Sequence, residues 1–257
     1  MAQTVPTVPR EQIRDGILAM GIGTGDAILV HSSLSAFGYV EGGADAVIDG
    51  LLDAIGPGGT LVLPTFTWGD FHAQEHVEFD VANKACETGR IPETFRTRPG
   101  VLRSTHICHS VAALGPESET AMGEGVSSFG PGSTFDALLE LDAWVVFLGV
   151  SLQCCTALHA VEEFVGVPYR KHRNFEGSVV ILPDGTRMPS KSIEYLRQDG
   201  SANDFAKMEA IYDEADALRR TWIGASDCKA IRIRELFRIT RPLLEQDFGL
   251  LSRSRSA

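Results

Sequence analysis

The stretch Val47-Ile48-Asp49-Gly50-Leu51-Leu52-Asp53-Ala54-Ile55-Gly56-Pro57-Gly58-Gly59-Thr60-Leu61-Val62-Leu63 decides the fold class of this chain. Its first half repeats apolar residues at helical spacing, and its second half is a short apolar run that is typical of a buried strand. Gly56 and Pro57 separate the two halves and predict the end of the helix. A strand is predicted over 27–31, before the helix, so the three elements together predict a βαβ-type unit.

The same order of elements recurs later in the chain. A helical turn at Ala137-Leu138-Leu139 precedes the apolar strand Trp144-Val145-Val146-Phe147-Leu148, which leads through Gly149 into a helix that carries His159. A further amphipathic helix is predicted over 10–20. Apolar strands that alternate with helices are typical of layered α/β sheets. We therefore predict one domain over 1–257, with an α/β/α fold around a mixed central sheet and a small sub-lobe.

Three other regions complete the predicted architecture. Residues 65–99 are rich in polar, aromatic and acidic side chains without steady periodicity, which favours a long loop that folds over a site as a lid. An Asp184-Gly185 turn within 179–187 predicts a β-hairpin. Helices are predicted over 204–222 and 229–246, and the Ser- and Arg-containing tail 250–257 is predicted to be disordered.

Composition limits the kinds of partner. The 257 residues are 44% hydrophobic and carry a formal net charge of -11, which argues against nucleic acid, whose binding needs clustered Lys and Arg. An anionic surface favours a cationic partner. The chain lacks a secretion signal and a run of about 18 apolar residues, so a soluble, cytoplasmic protein without a membrane partner is expected. Its five cysteines lack framework spacing and are interpreted as reduced thiols.

The motif Thr156-Ala157-Leu158-His159-Ala160-Val161-Glu162 holds the main candidates for catalysis. A three-residue separation puts His159 and Glu162 on one helix face, where the carboxylate can orient the imidazole or favour its charged form. Imidazole titrates near neutral pH and therefore suits a general base. Glu163 is the fallback partner, one residue off that face. The alternative is that His159 is a partly buried helix residue in a polar cluster.

Four separate motifs occur in a fixed order along 28–169. They are Ile28-Leu29-Val30-His31-Ser32-Ser33-Leu34-Ser35-Ala36-Phe37-Gly38, Gly58-Gly59-Thr60-Leu61-Val62-Leu63-Pro64-Thr65, Arg103-Ser104-Thr105-His106 and the histidine motif. Together they resemble the aminoglycoside 3-N-acetyltransferase family. After Tyr169 the resemblance is loose and rests on Asn203-Asp204-Phe205 and Ile223-Gly224. The resemblance implies direct transfer of acetyl from acetyl-coenzyme A to the 3-amino group of a 2-deoxystreptamine aminoglycoside, which confers antibiotic resistance.

The resemblance also assigns roles on the side of the acetyl donor. It places His159 on the family's catalytic histidine. In the mechanism that we predict from this role, Glu162 or Glu163 supports the imidazolium, and Thr156 assists backbone N–H groups at the oxyanion. Coenzyme A is implied to lie along two segments, which contribute His31, Ser32, Ser33, Leu34, Ser35, Gly38, Arg103, Ser104, His106 and Ser110. Hydroxyls in a turn after a strand can bind phosphate, although serines there can equally cap a helix. Ile107 stands where the family has a proline.

Acceptor recognition is expected from carboxylates around the pocket, in a cleft that the sub-lobe forms. The candidates are Asp70, Glu93, Glu163 and Asp204, which would form charge-assisted hydrogen bonds to ammonium groups. Glu93 lies in Pro92-Glu93-Thr94-Phe95-Arg96, which resembles a family element. For Asp70 and Asp204 the open alternative is a solvated surface carboxylate or a helix cap. An amine other than an aminoglycoside also stays open as the acceptor.

Three other classes of function compete with this interpretation. A metal hydrolase could use the histidines of 72–76 and 106–109, but the first segment has the order His-Ala-Gln-Glu-His instead of His-Glu-x-x-His. A serine or cysteine hydrolase could use Ser33 or Cys155 with His159, but no Gly-x-Ser-x-Gly elbow is present. A non-catalytic protein would bind coenzyme A and release no thiol. We predict an enzyme that needs no metal ion.

Overall fold

A computed structural model of the chain describes residues 7–69, 76–198 and 200–253. Its strands are β1 (Thr7–Val8), β2 (Ala27–Ser32), β3 (Tyr39–Val40), β4 (Thr60–Pro64), β5 (Glu78–Asp80), β6 (Leu102–Arg103), β7 (Val111–Leu114), β8 (Trp144–Leu148), β9 (Arg170–Asn174), β10 (Val179–Ile181), β11 (Arg187–Pro189), β12 (Ile193–Arg197), β13 (Ala202–Asn203), β14 (Arg219–Ile223), β15 (Ser226–Arg232) and β16 (Ser252–Arg253). Its α-helices are α1 (Arg10–Ala19), α2 (Gly43–Ile55), α3 (Arg90–Arg96), α4 (Ser118–Ala121), α5 (Thr134–Glu140), α6 (Ala157–Val165), α7 (Met208–Glu214) and α8 (Ile233–Gln246). A short 3₁₀ helix, Leu34–Phe37, follows β2.

Seven strands form the central sheet, in the order β14-β15-β8-β2-β4-β7-β6. The middle strand β2 runs parallel to β8 and to β4, whereas β15 is antiparallel to β8 and β7 is antiparallel to β4. Every residue of β4 and of β8 is buried, as expected for strands with layers on both faces. The predicted mixed sheet is confirmed, and β8 has the predicted bounds.

Helices cover the sheet on both faces. Ile28 and Val30 of β2 belong to the core beneath α1 and α2, which also pack on each other. Leu29 belongs to the opposite core, together with Phe147 of β8 and the apolar faces of α6 and α8. This division follows from the two-residue repeat of side chains along a strand. The predicted α/β/α layering is therefore confirmed.

A smaller core lies outside the main layers and forms the sub-lobe. Strands β5, β10 and β11 make a three-stranded sheet. The sub-lobe's apolar cluster consists of Val77, Phe79, Val81, Ile107, Cys108, Phe175 and Val180. Strands β10 and β11 pair antiparallel, and the turn between them contains Gly185 with a φ of 84°, a value that glycine adopts readily. The hairpin predicted from the Asp-Gly turn is thus present.

Two predictions for the C-terminal part were wrong. The predicted helix 204–222 is the short helix α7 followed by strand β14, and the predicted helix 229–246 starts as strand β15 and becomes helical only at Ile233. Strand β15 pairs with β14 on one side and with β8 on the other. Long-range pairing therefore overrides a local pattern that favours helix.

The segment 65–99 and the C-terminal tail are also more regular than predicted. Strand β5 and helix α3 lie within the described part of 65–99. Strand β16, within the tail predicted to be disordered, pairs antiparallel with β13 and aligns Ser252 with Asn203. Within the described ranges, the helices are all too short or too polar to cross a membrane.

Candidate active site

A cavity of about 510 Å³ opens where the parallel strands of the central sheet end. Strands β2, β4 and β8 run in the same direction, so their carboxyl ends meet at one edge of the sheet, the usual position of ligand sites in α/β folds. We call this space the first cavity. Its described lining residues are Val30, His31, Ser32, Pro64, Phe66, Trp68, Glu87, Thr88, Gly89, Pro92, Val150, Gln153, Cys154, Cys155, Thr156, His159, Asn203 and Phe205.

Strand β8 reaches the first cavity through a tight turn at Gly149. This residue has a φ of 68°, and a Cβ added to it would lie 2.3 Å from the Cβ of Ala36, so the position requires glycine. The chain then passes to Thr156, which precedes α6 and lines the cavity. The ring of His159, in the first turn of α6, packs between Phe129 and Phe205, with centroid distances of 4.9 and 4.8 Å.

A buried carboxylate holds the inner edge of the His159 ring. Glu162 is completely buried, and its Oε2 lies 2.5 Å from His159 Nδ1. Tyr169 donates its hydroxyl to Oε1 over 2.8 Å, Arg170 Nε lies 2.8 Å from Oε2, and Arg197 Nη2 lies 3.2 Å from Oε1. Burial alone would favour the neutral acid, but His159, Arg170 and Tyr169 favour the anion and lower the pKa of Glu162. The predicted His159–Glu162 pairing is present in the structure.

The same surroundings keep His159 neutral. Burial, and next the charge of Arg170, lower its pKa to about 4, although Glu162 acts in the opposite direction. A carboxylate can only accept a hydrogen bond, so Nδ1 carries the proton that is donated to Glu162. The lone pair of the neutral ring is therefore on Nε2, which is the form a general base requires.

A second cavity, of about 580 Å³, adjoins the first and shares Ser32 and Gly89 with it. The predicted donor residues Ser33, Leu34, Ser35 and Gly38 all line it, together with Tyr39, Val40, Gly43 and Arg90. His31 lines the first cavity, and its Nε2 and the Ser32 hydroxyl are buried without a hydrogen-bond partner in the described structure. The N-terminal group of predicted donor residues therefore lines these two neighbouring cavities.

The structure does not bring the other predicted donor segment to either cavity. Arg103 is largely buried, and its guanidinium donates to the carbonyl oxygens of Thr65 over 2.9 Å and Val81 over 3.2 Å. The Ser104 hydroxyl accepts a hydrogen bond from a backbone N–H, and the Ser110 hydroxyl donates to a carbonyl oxygen. His106 Nδ1 accepts from two backbone N–H groups. Arg103 and Ser110 thus hold Thr65 in the loop after β4, which forms one wall of the first cavity.

The predicted acceptor carboxylates are likewise dispersed. Glu93 pairs with Arg96 and accepts from a backbone N–H, and these contacts lower its pKa to about 2 despite partial burial. Glu163 pairs with a histidine of β9, and Asp204 pairs with a lysine next to α7. None of these three lines either cavity, and Asp70 lies outside the described residues. Among the described residues, Glu87 supplies the carboxylate of the first cavity, and its Oε1 accepts from the Gly69 N–H over 2.9 Å.

The thiol of Cys155 lies on the wall of the first cavity beside α6. It is completely buried, and burial raises its pKa to about 12, so it is a neutral thiol near pH 7 and a poor nucleophile. Ser33, the other hydrolase candidate, lines the second cavity and shares a hydrogen bond with Ser35 over 3.2 Å.

One group of described residues has a donor set that could hold a metal ion. Cys108, His109 and Glu194 place three possible ligand atoms within 4.8 Å of one another. These atoms already have partners, since His109 Nδ1 lies 2.9 Å from Glu194 and Ser128 donates to Glu194 over 2.7 Å. Burial, mainly, raises the pKa of the Cys108 thiol well above its usual value, which disfavours the thiolate that a metal would need. The metal candidates within 70–75 lie outside the described residues.

The fold and the site define the class of protein. A neutral imidazole at the strand ends, beside a second cavity lined by hydroxyls and an arginine, provides the two parts that a group-transfer enzyme requires: a base and a place for the donor. The sequence matches the family model of the aminoglycoside 3-N-acetyltransferases over residues 29–245. The chain belongs to this family and is an acyltransferase, as the sequence motifs predicted.

Individual relatives agree with this assignment. Aminoglycoside N(3)-acetyltransferase VII of Streptomyces paromomycinus is 29% identical over 271 residues, which cover 94% of this chain and 93% of the relative. The solved structure of AAC-IIIb in binary complex with CoASH has a TM-score of 0.83 at 26% identity and covers 96% of this chain and 100% of that one. A mutant of AAC(3)-IVa, solved in complex with apramycin, has a TM-score of 0.78 at 27% identity, with 93% of each chain covered.

Proposed function

We propose that this enzyme transfers acetyl from acetyl-coenzyme A to the 3-amino group of a 2-deoxystreptamine aminoglycoside, and so confers resistance to that antibiotic. The observation that carries the proposal is the neutral Nε2 of His159 in a cavity that adjoins a second, hydroxyl-lined cavity. The relatives solved with CoASH and with apramycin support the choice of donor and acceptor. The five free cysteines and the donor fit an enzyme of the cytoplasm.

The second cavity is the proposed site of coenzyme A. The phosphates of coenzyme A need cations and hydrogen-bond donors, which Arg90 and the hydroxyls of Ser33 and Ser35 offer. Where the two cavities join, the unpartnered His31 Nε2 and Ser32 hydroxyl are free to bond the polar chain of the donor. Arg90 thus replaces Arg103, which has its own backbone partners, as the proposed cation at the donor.

His159 is the proposed general base for direct transfer. The neutral amine nitrogen attacks the thioester carbonyl, a C–N bond forms, and the C–S bond breaks with its electron pair on sulfur. Nε2 takes the proton from the attacking nitrogen and passes it to the thiolate, while Glu162 supports the transient imidazolium. Thr156 and the N-terminal turn of α6 lie on the cavity wall, where backbone N–H groups and the helix dipole favour an oxyanion.

The first cavity is the proposed acceptor site. Glu87 is placed to pair with an ammonium group, and the rings of Phe66 and Trp68 offer flat apolar faces for a sugar. A chain with a net charge of -11 also attracts a polycation over longer distances. Asp70, which follows this wall in sequence, remains a predicted contact. No proposed step uses a metal ion, and metal analysis of the active enzyme tests that part of the proposal.

The decisive experiment measures thiol release from acetyl-coenzyme A with a panel of aminoglycosides and simple polyamines, followed by NMR mapping of the products. We expect release with 2-deoxystreptamine aminoglycosides and acetylation at the 3-amino group. In His159→Ala the rate should fall by about 10²-fold or more with coenzyme A affinity nearly unchanged. His172→Ala, at an exposed histidine of β9, is the matched control. Release with simple amines alone would assign another acceptor, and an unimpaired His159→Ala enzyme would remove the base.

A further inference from the structure

Asn203 lies between the paired arginines of the site and the open edge of the His159 ring. It is on β13, which the C-terminal strand β16 holds in place, and it lines the first cavity. Its Oδ1 accepts one hydrogen bond from Arg170 Nη2 and one from Arg197 Nη2, each of 2.9 Å. Its Nδ2 lies 3.4 Å from His159 Nε2.

The two arginines decide which way this amide faces. A guanidinium has only donors, so the atom between Arg170 and Arg197 must be the amide oxygen. The amide nitrogen, which is also a donor, is then the atom that faces His159. A donor at this position is compatible with a lone pair on Nε2 and unfavourable next to an Nε2–H bond. Contacts on both edges of the ring therefore select one state: a proton on Nδ1 and a lone pair on Nε2.

We propose that Asn203 is a positioning residue: fixed by Arg170 and Arg197, it holds His159 in the tautomer with an unprotonated Nε2 and opposes a proton on that atom. The proposal rests on the proposed function only in that His159 is the base. It adds a consequence for the reaction. Once Nε2 has taken the proton of the attacking nitrogen, two donors face each other across the contact with Asn203. The proton is then driven onward to the thiolate sulfur, which completes free coenzyme A.

Several other charged or titratable groups act on the same ring and bear on the test. Glu162 contacts Nδ1 directly and favours the charged ring, whereas Arg170 opposes it, and His109 adds a smaller opposing effect. Tyr169 and Arg197 act indirectly, because both bind Glu162. Of these groups, Arg170 and Arg197 also contact Asn203, so a variant at Asn203 must keep an oxygen that accepts from both.

The first test observes the wild-type enzyme without substrate and uses one variant only to assign signals. In protein labelled with ¹⁵N-histidine, long-range ¹H–¹⁵N spectra show which ring nitrogen carries the proton, and His159→Gln identifies the signals. We expect a protonated Nδ1 and an unprotonated Nε2 between pH 6 and 8. A ring with the proton on Nε2 overturns the proposal. If the expected tautomer is found in an enzyme that acetylates no amine, the proposed function fails and the role of Asn203 in setting the tautomer stands.

The second test exchanges the donor for an acceptor. In Asn203→Asp one oxygen can still accept from the arginines, and the other faces Nε2, where it favours Nε2–H. The protonation midpoint of His159 should rise by about one pH unit or more, and the acid limb of the thiol-release rate should move with it. Asn174→Asp adds the same charge at an exposed end of β9 and should move neither. Equal shifts in the two variants, or no shift in Asn203→Asp, would refute the proposal.

Discussion

Removing the charge of Glu162 should destabilise the whole fold as well as the base. In Glu162→Gln the shape is kept, but two arginines lose the buried carboxylate that lies 2.8 and 3.2 Å from them. Breaking one partner of a buried ion pair costs about 3–5 kcal/mol. The new amide NH₂ also replaces an oxygen that accepts from two partners, since each oxygen of Glu162 faces two of its four donors. For a chain of this length we expect the melting temperature to fall by about 6–20 °C.

Glu163→Gln is the matched control for this change. It alters the next residue of the same helix in the same way, but Glu163 pairs with a histidine whose side chain is 56% exposed. The Glu163 side chain is itself only 9% exposed, but its substitution leaves no buried guanidinium without a partner, so we expect a smaller loss of stability than in Glu162→Gln. Urea unfolding followed by circular dichroism near pH 7.5 measures both variants against the wild-type enzyme. Equal stability losses in the two variants would refute the view that the arginines depend on the Glu162 charge.

Two further predictions concern acid stability and donor binding. The pKa values of His31, His106 and His159 are each lowered to about 4, mainly by burial, so below about pH 6.5 the unfolded chain binds protons that the folded chain does not. The free energy of unfolding should therefore fall as the pH is lowered from 6.5 to 4, by up to about 4 kcal/mol per pH unit. Urea unfolding at several pH values measures it, and a free energy of unfolding that does not change with pH would contradict this prediction. Arg90→Ala should weaken coenzyme A binding, measured by calorimetry, by about tenfold or more. Arg238→Ala, on α8, is the control and should leave the affinity unchanged. An unchanged affinity in Arg90→Ala would remove Arg90 from the donor site.

The layered fold could be predicted because its strands and helices carry strong local patterns. Strand β8 is an uninterrupted apolar run, and the structure buries every residue of it. Strands β14 and β15 lack such an apolar run. In β14 the residues are mostly charged and exposed, a composition that also fits the solvent-facing side of a helix. Their conformation is determined by pairing: β15 pairs with β8, a contact between distant parts of the chain, and β14 pairs in turn with β15. Periodicity within one segment does not contain that information.

The site follows the same division between local and distant contacts. His159 and Glu162 could be paired from the sequence because three residues of one helix separate them. Their other partners, Arg170, Arg197 and Asn203, come from β9, β12 and β13, and the family-like Asn-Asp-Phe motif was the only sequence signal for any of them. For Arg103 the residue type suggested a phosphate ligand, but backbone carbonyls engage its guanidinium. Sequence gives the charge of a side chain, not its partners.

The low pKa of His159 also determines when in the proposed reaction this residue could act as the base. An alkylammonium with a pKa of about 10 cannot usefully give its proton to a ring whose pKa is about 4. That transfer would be uphill by about 8 kcal/mol. The amine must therefore reach Nε2 uncharged, and its nitrogen becomes acidic enough only as it bonds to the carbonyl carbon. From that point in the proposed mechanism, Arg170 and Asn203 shorten the life of the imidazolium, while Glu162 stabilises it enough to form. The charge around the ring thus suits a base that holds a proton only between the amine and the departing sulfur.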